Sequence, residues 1–331
     1  MAFLPGPRNL ITDVPGLRVG HATDEHVKSG VTVLLCESAW CAAVDVRGGG
    51  PGTREIETLA PENLVGRAHA IVLGGGSVFG LAAADGVSAM LSARNIGLRF
   101  RPNAPAIPIV PAAVLHDLGN DGDKQWGLDP PYRNLGIAAL QAIDEDFEEG
   151  SVGAGRGAMA GLVKGGIGSA SIDLGSGLVV GALVAVNSIG SALMPDGDTY
   201  WAWPFEIGDE FGGCKPPGKK MDVSDPAPDE TRLRAQGRLH TGANTTLGVV
   251  ACTANLSTVE CKRVAMMAQD GLARAIRPAH TLFDGDTLFA LASGQIALRE
   301  DQPRMYEIGR IGSAAADCVA RAIASAVYHS R

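Results

Sequence analysis

The chain is poor in the features that mark several large protein classes. Its six cysteines (Cys36, Cys41, Cys214, Cys252, Cys261 and Cys318) are scattered and form no CxxC pair. That excludes a disulfide framework and gives no spacing for a zinc site. No block of Lys and Arg stands out, and the formal net charge is −8; the chain therefore lacks the electrostatic footprint of a nucleic-acid binder. The amino terminus, Met1-Ala2-Phe3-Leu4-Pro5-Gly6, carries neither the basic head nor the apolar run of a signal peptide. The apolar runs are too short or too broken by glycine to span a bilayer. A cytoplasmic protein with no membrane partner, no metal and no cofactor is the expectation. No internal repeat is visible.

What the chain does have is an apolar content of 46 % over 331 residues and 44 glycines, which sit beside apolar runs rather than in a collagen period. A sizeable core needs no metal or disulfide at this length. The glycines read as tight turns and close backbone approaches. Val31–Leu35, Ala42–Val46, Ala70–Leu73 and Leu178–Val186 are β-branched or apolar runs that predict strands. A helix is predicted over Val78–Arg94 with Ser77 as N-cap, and another over Asn134–Glu148. After a polar, proline-rich stretch from Pro195 to Gly242, strand-like sequence resumes at Thr245. The rest predicts a helix over Thr258–Ile276, a strand over Thr287–Ala292 and a final helix over Ser313–Tyr328. Buried strands with amphipathic helices at both ends predict an α/β (α+β) fold, either an αββα sandwich or a doubly wound sheet. No domain boundary other than the loop is visible.

The junction Asn244-Thr245-Thr246 carries the sharpest chemical suggestion. If the chain is cut before Thr245, that residue offers a hydroxyl nucleophile and a free α-amine of reference pKa about 7.7–8.0, so no histidine is needed as base. The plainer meaning of the same tripeptide is the opening of a strand. Downstream, Asp284 and Asp286 are two apart, which in extended chain puts both carboxylates on one face. There they can hold the amine of Thr245; a solvated Asp-Gly turn is the plainer use, and the remaining ligands of a calcium loop are absent. Lys164, the lone charge in a small-residue stretch, is either a snorkelling surface residue or a buried cation. Asn187, which interrupts an apolar run, either donates to an oxyanion or caps a turn. The glycine clusters at Gly153–Gly157 and Lys164–Gly166 match neither phosphate-loop nor dinucleotide spacing.

In this order, six segments resemble the self-processing, DmpA-type peptidases of family S58, over nearly the whole chain. They are Thr12–His21, Asp45–Glu55, Gly74–Leu81, Lys164–Gly168 with Asn187, Gly242–Thr246, and Asp284–Phe289. That group includes L-aminopeptidase/D-esterases, β-peptidyl aminopeptidases and nylon-oligomer hydrolases. The resemblance implies one domain over residues 1–331 with the αββα sandwich shared with ornithine acetyltransferases. It implies cleavage between Asn244 and Thr245 into parts 1–244 and 245–331, and homo-oligomers, tetrameric or larger, of processed protomers. By position it makes Thr245 the nucleophile, Asn187 the oxyanion-stabilising amide, Lys164 a lysine near the nucleophile, and Asp284 and Asp286 its neighbouring carboxylates. Backbone N–H groups of Gly74–Gly76 are candidates to share the oxyanion. Gly75, Gly76, Ser77 and His116 are the candidate substrate-binding residues.

The sequence departs from the group twice. His116 precedes Asp117 where the group carries Tyr or Trp, and Val114 stands where the aminopeptidases place the glutamate that anchors a substrate amine. A small peptide or amide substrate is expected, but not strict aminopeptidase specificity. Acyl transfer to an amine, as in the ornithine acetyltransferases, and an unprocessed, non-catalytic scaffold are the alternatives.

Overall fold

The computed structural model describes residues 4–218, 225, 228–234 and 244–331. Much of the long proline-rich loop, and the Gly242-Ala243 portion of the junction motif, lie outside the described residues.

In chain order the strands are β1 (Leu17–Asp24), β2 (Ser29–Val46), β3 (Gly52–Arg54), β4 (Arg67–Gly74), β5 (Ala112–Val114), β6 (Met159–Ala160), β7 (Val163–Lys164), β8 (Ile167–Asp173), β9 (Val179–Asn187), β10 (Thr245–Ala254) and β11 (Thr287–Ile296). The α-helices are α1 (Ala83–Ala93), α2 (Tyr132–Gln141), α3 (Thr258–Ala268), α4 (Asp270–Ala275) and α5 (Arg304–Tyr328).

Two sequence runs expected as separate strands, Val31–Leu35 and Ala42–Val46, belong to the single long strand β2. Its first part pairs with β1 and β4. Its last part pairs with β11, and the register breaks between Leu35 and Trp40. The sheet runs in the order β3-β5-β4-β2-β11-β10-β9-β8. β2 thus connects two halves of one sheet.

Three cores show how those halves are layered. The strands bury side chains on both faces, so successive residues enter different cores. In β9, Val180, Ala182, Val184 and Val186 pack with Val264, Leu272, Val319 and Ile323 of α3, α4 and α5. The intervening Leu183 and Ala185 join Leu247 and Val249 of β10 in a second core, where they meet Ile71 and Leu73 of β4. On the far side of β4, Ala70 and Val72 pack with Val87 of α1 and Leu140 of α2. Helices, half-sheet, half-sheet, helices is the expected αββα layering.

The helices follow the sequence with shifted ends. The segment expected as one helix from Val78 is a 3₁₀ turn, Ser77–Ala82, leading into α1. Ser77 is not an N-cap: no side-chain cap bond forms there, and Ser77 itself lies at φ 53° after Gly76 at φ 77°. A Cβ on Gly76 would stand 2.0 Å from the Tyr132 ring, a contact between distant segments that local sequence does not reveal. α2 stops at Gln141, short of the expected Glu148. The stretch 258–276 divides into α3 and α4. α3 starts at a reciprocal cap in which Ser257 N–H donates to Glu260 Oε2 at 2.8 Å and Glu260 N–H to Ser257 Oγ at 3.4 Å, an arrangement worth about 1 kcal/mol. α5 begins nine residues before the expected Ser313.

Candidate active site

The site forms where β9 ends, β10 begins and the turn before β11 passes between them. Thr245, the first residue of β10, pairs with Asn187, the last residue of β9. Asn244 bridges to Asp284 in parallel register. Asn187, Asn244, Thr245, Asp284 and Asp286 are all buried, each no more than 2 % exposed. Residues from three distant stretches of the sequence thus meet in the protein interior.

The Asn244–Thr245 peptide is held in a specific way. Gly285 N–H donates to the Asn244 carbonyl oxygen at 2.8 Å. The Thr245 hydroxyl donates to the same oxygen at 2.5 Å. Asn244 N–H in turn donates to the Phe283 carbonyl at 3.3 Å. The 283–286 turn is pressed against the glycine loop that follows β2. Gly50 N–H donates to the Asp284 carbonyl at 2.8 Å and Gly48 N–H to the Asp286 carbonyl at 3.2 Å. A Cβ on Gly48 would lie 2.3 Å from the Asp286 nitrogen, so only glycine permits this approach.

The two carboxylates hold backbone rather than each other. Asp286 accepts from Thr246 N–H at 2.8 Å, from His280 N–H at 3.1 Å, and pairs with His280 Nδ1 at 2.8 Å. Asp284 accepts from the Thr281 hydroxyl at 2.7 Å, from Thr281 N–H at 2.9 Å and from Ile189 N–H at 3.3 Å. Burial first, and then the charge of Asp286, raise Asp284 to about 6. In the uncut chain neither carboxylate is hydrogen-bonded to Thr245 itself; Asp286 holds the next residue, Thr246, and Asp284 holds Thr281 and Ile189.

The side-chain amide of Asn187 donates to the His116 carbonyl at 3.0 Å, and its Oδ1 accepts from Met159 N–H at 3.0 Å. His116 and Ser77 line an open cleft of about 410 Å³ with Gly50–Thr53, Val78, Leu81 and Val114. This cleft adjoins Thr245 through Gly285, where an added Cβ would lie 2.6 Å from Thr245 Oγ1 and 2.9 Å from the Gly50 oxygen.

Two expectations need correction. The backbone N–H groups of the Gly74–Gly76 loop are not free to stabilise an oxyanion. Gly75 N–H donates to the Gly30 carbonyl at 2.9 Å and Gly76 N–H to Asp117 Oδ1 at 2.7 Å. That loop is spent on tying β4 to β2 and to the segment after β5, and Gly75 and Gly76 do not line the described cleft. Lys164 is not a buried cation. It is exposed at the end of the β6–β7 hairpin, opposite Met159, where its charge bears on Asp121. No hydrogen bond or ion pair joins it to Thr245, Asn187, Asp284 or Asp286 among the described residues.

Two participants escaped the sequence reading. Gly285 acts through its backbone, and its only signal was its place between the two aspartates. Arg232 lies in the proline-rich stretch, where nothing in the pattern singled it out. Its guanidinium Nη2 donates to the carbonyls of Ser188 at 2.7 Å, Asn187 at 3.0 Å and Met159 at 3.1 Å. Burial lowers Arg232 to about 10, against the opposing pull of Asp284.

The chain is similar to known proteins along nearly its whole length. The model described as Peptidase family S58 matches residues 9–331. An uncharacterized aminopeptidase of Mycobacterium tuberculosis (strain ATCC 25618 / H37Rv) is 41 % identical over 342 residues, covering 98 % of this chain and 94 % of the relative. A 6-aminohexanoate-oligomer endohydrolase of Agromyces sp. (strain KY5R) is 30 % identical over 300 residues, covering 88 % and 77 %. Among solved structures, the L-aminopeptidase D-Ala-esterase/amidase of Ochrobactrum anthropi, described as a new variant among the Ntn hydrolase fold, superposes with a TM-score of 0.72 at 20 % identity, over 100 % of this chain and 89 % of that one. That last likeness speaks to the fold alone.

Proposed function

The chain belongs to peptidase family S58 and is a hydrolase of amide bonds, and from that premise we propose that it matures by cutting itself between Asn244 and Thr245 and then works through Thr245 as an amino-terminal nucleophile. The observation that carries this reading is the convergence of the Thr245 hydroxyl and the Gly285 N–H on the Asn244 carbonyl oxygen.

In the first stage Thr245 Oγ1 bonds to the Asn244 carbonyl carbon as the carbon–nitrogen bond breaks. The hydroxyl proton passes to the departing nitrogen, which becomes the α-amine of Thr245. The oxygen that gains charge on the way is the one Gly285 already holds, so the donor needs no reorganisation. Water then hydrolyses the ester, releasing Asn244 as a carboxylate and restoring the hydroxyl.

In the second stage the new amine serves as base while the hydroxyl attacks a substrate amide. Departure of the Asn244 carbonyl vacates the Gly285 N–H, which then serves the substrate oxyanion together with the Asn187 amide. Asp286 and Asp284 keep Thr246 and the 281–286 turn in place.

The described lining of the cleft holds no carboxylate. A substrate ammonium would lie there without a partner, which costs several kcal/mol unless it stays hydrated. Small peptides or amides with a neutral acyl portion fit the lining better than free amino termini do. Six free cysteines support a reducing, cytoplasmic setting. Homo-oligomers of processed protomers remain part of this reading, through the family.

The test is acylation by p-nitrophenyl acetate. The reading expects a burst of p-nitrophenol and an acetyl group on the amino-terminal residue of the 245–331 fragment. Acylation elsewhere, or equal acylation of a Thr245→Ala chain, would remove Thr245 from its role.

A further inference from the structure

Arg232 occupies an expensive position. Among the described residues its Nη2 donates to oxygens of the backbone and of Asn187, the last of these at 3.4 Å to Oδ1. Its Nε is buried without a hydrogen-bond partner among the described residues. A half-buried cation with an unmet donor is a poor way to gain stability, since desolvation offsets partial pairing.

Nor is the side chain required to dock its own segment. Arg232 N–H donates to the Ile189 carbonyl at 3.0 Å, and Leu162 N–H donates to the Glu230 carbonyl at 3.2 Å. The Thr231 hydroxyl, in a buried residue, closes the preceding turn on the Pro228 carbonyl at 2.8 Å. Backbone contacts on both sides already fix the loop against the end of β9.

What the guanidinium does touch is the residue facing the nucleophile. Asn187 is the strand partner of Thr245. Arg232 holds its carbonyl, approaches its side-chain oxygen, and holds the carbonyls of its neighbours Ser188 and Met159. Binding Oδ1 from the side of Met159 and Arg232 leaves the Asn187 amide N–H₂ turned toward His116 and the cleft. A flipped amide would set Oδ1 against the His116 carbonyl and present an oxygen to a developing oxyanion; Met159 N–H and Arg232 together hold it the other way.

We propose that Arg232 is a positioning residue for the reaction at Thr245, acting through Asn187 by fixing which end of its side-chain amide faces the reacting carbonyl. This rests on Asn187 being an oxyanion donor, as the proposed function has it. The charge also makes Arg232, rather than the exposed Lys164, the cation built into this end of the site.

The experiment is a double-mutant cycle read on acylation by p-nitrophenyl acetate, with Arg232→Met, Asn187→Ala and the pair. Arg232→Met is expected to lower kcat about tenfold with KM changed by less than about threefold, and to add less than about twofold once Asn187 is alanine. Arg232→Lys keeps a charge and donors for the same carbonyls, and is expected to recover part of the loss. If Arg232→Met prevents maturation, the same cycle is read on the self-cleavage rate by intact mass, with Arg232→Lys as the folded control. An equal effect of Arg232→Met in both backgrounds, or none in the parent, overturns the proposal while leaving the function standing. An Asn187→Ala chain with the parent's rate removes the oxyanion assignment itself, and this inference with it.

Discussion

The Thr245 hydroxyl and the Gly285 N–H meet at one atom, the Asn244 carbonyl oxygen, from 2.5 and 2.8 Å. A side-chain hydroxyl and a backbone N–H are therefore set against the same peptide bond, by two segments far apart in the chain that β10 and β11 bring side by side.

Gly285→Ala tests that arrangement. The added Cβ would lie 2.6 Å from Thr245 Oγ1 and 2.9 Å from the Gly50 oxygen, and the backbone side of that contact cannot swing away. Self-cleavage, followed by gel or intact mass, is expected to slow by at least about tenfold, a barrier increase of ~1.4 kcal/mol. Cleavage at the parent rate would show that the turn is not part of the reaction.

Asp284 makes stability depend on pH in a direction that can be checked. Burial and Asp286 raise it to about 6 from 3.8, so the folded chain holds this proton more tightly than the unfolded chain does. Its contribution to stability is full below the unfolded value and is lost as pH rises through about 6. His21 runs oppositely: burial lowers it to about 4 from 6.5, so it costs stability as pH falls across that window. Urea unfolding of the uncut Thr245→Ala chain at about pH 4 and about pH 7 separates the two. Asp284→Asn should make the rise in stability toward neutral pH steeper, and His21→Gln should make it shallower. Unchanged slopes in both variants would contradict the assignments.

Val114 tests the reading of the cleft. It is buried and lines the wall beside His116 and Ser77. The parent is expected to hydrolyse N-acetyl-alanine p-nitroanilide faster than alanine p-nitroanilide. Val114→Glu supplies a carboxylate for the free amine and should raise kcat/KM for the second substrate relative to the first by about tenfold, the scale of one charge-assisted hydrogen bond of about 1.5–3 kcal/mol partly offset by burial. A parent that prefers the free amine would contradict the neutral-acyl reading.

The site was legible in the sequence where chemistry is carried by side chains in short motifs. Asn244-Thr245 stood out as the opening of a strand after a long loop, Asp284 and Asp286 by their two-residue spacing, and Asn187 as a break in an apolar run; the family resemblance joined them, and the structure brings them together. It was illegible where the work is done by backbone or by distant contact. Gly285 and the spent N–H groups of Gly75 and Gly76 differ only in which carbonyl lies opposite, and that is set by strand register. Arg232 sits in a stretch with no periodicity to give it a face. The strands were readable from their apolar runs, yet the joining of Val31–Leu35 to Ala42–Val46 in one strand depends on partners on both sides. Ser77 looked like a helix cap because local propensity favours it there; packing of Gly76 against Tyr132 forces a different backbone.

The most direct test of self-processing at Thr245 is the intact mass of freshly purified protein under denaturing conditions, beside that of Thr245→Ala. Self-processing predicts two fragments from the parent, the smaller beginning at Thr245 and running to Arg331, and one full-length species from the variant. A parent chain that stays whole, or a variant that is cut at the same bond, would contradict it.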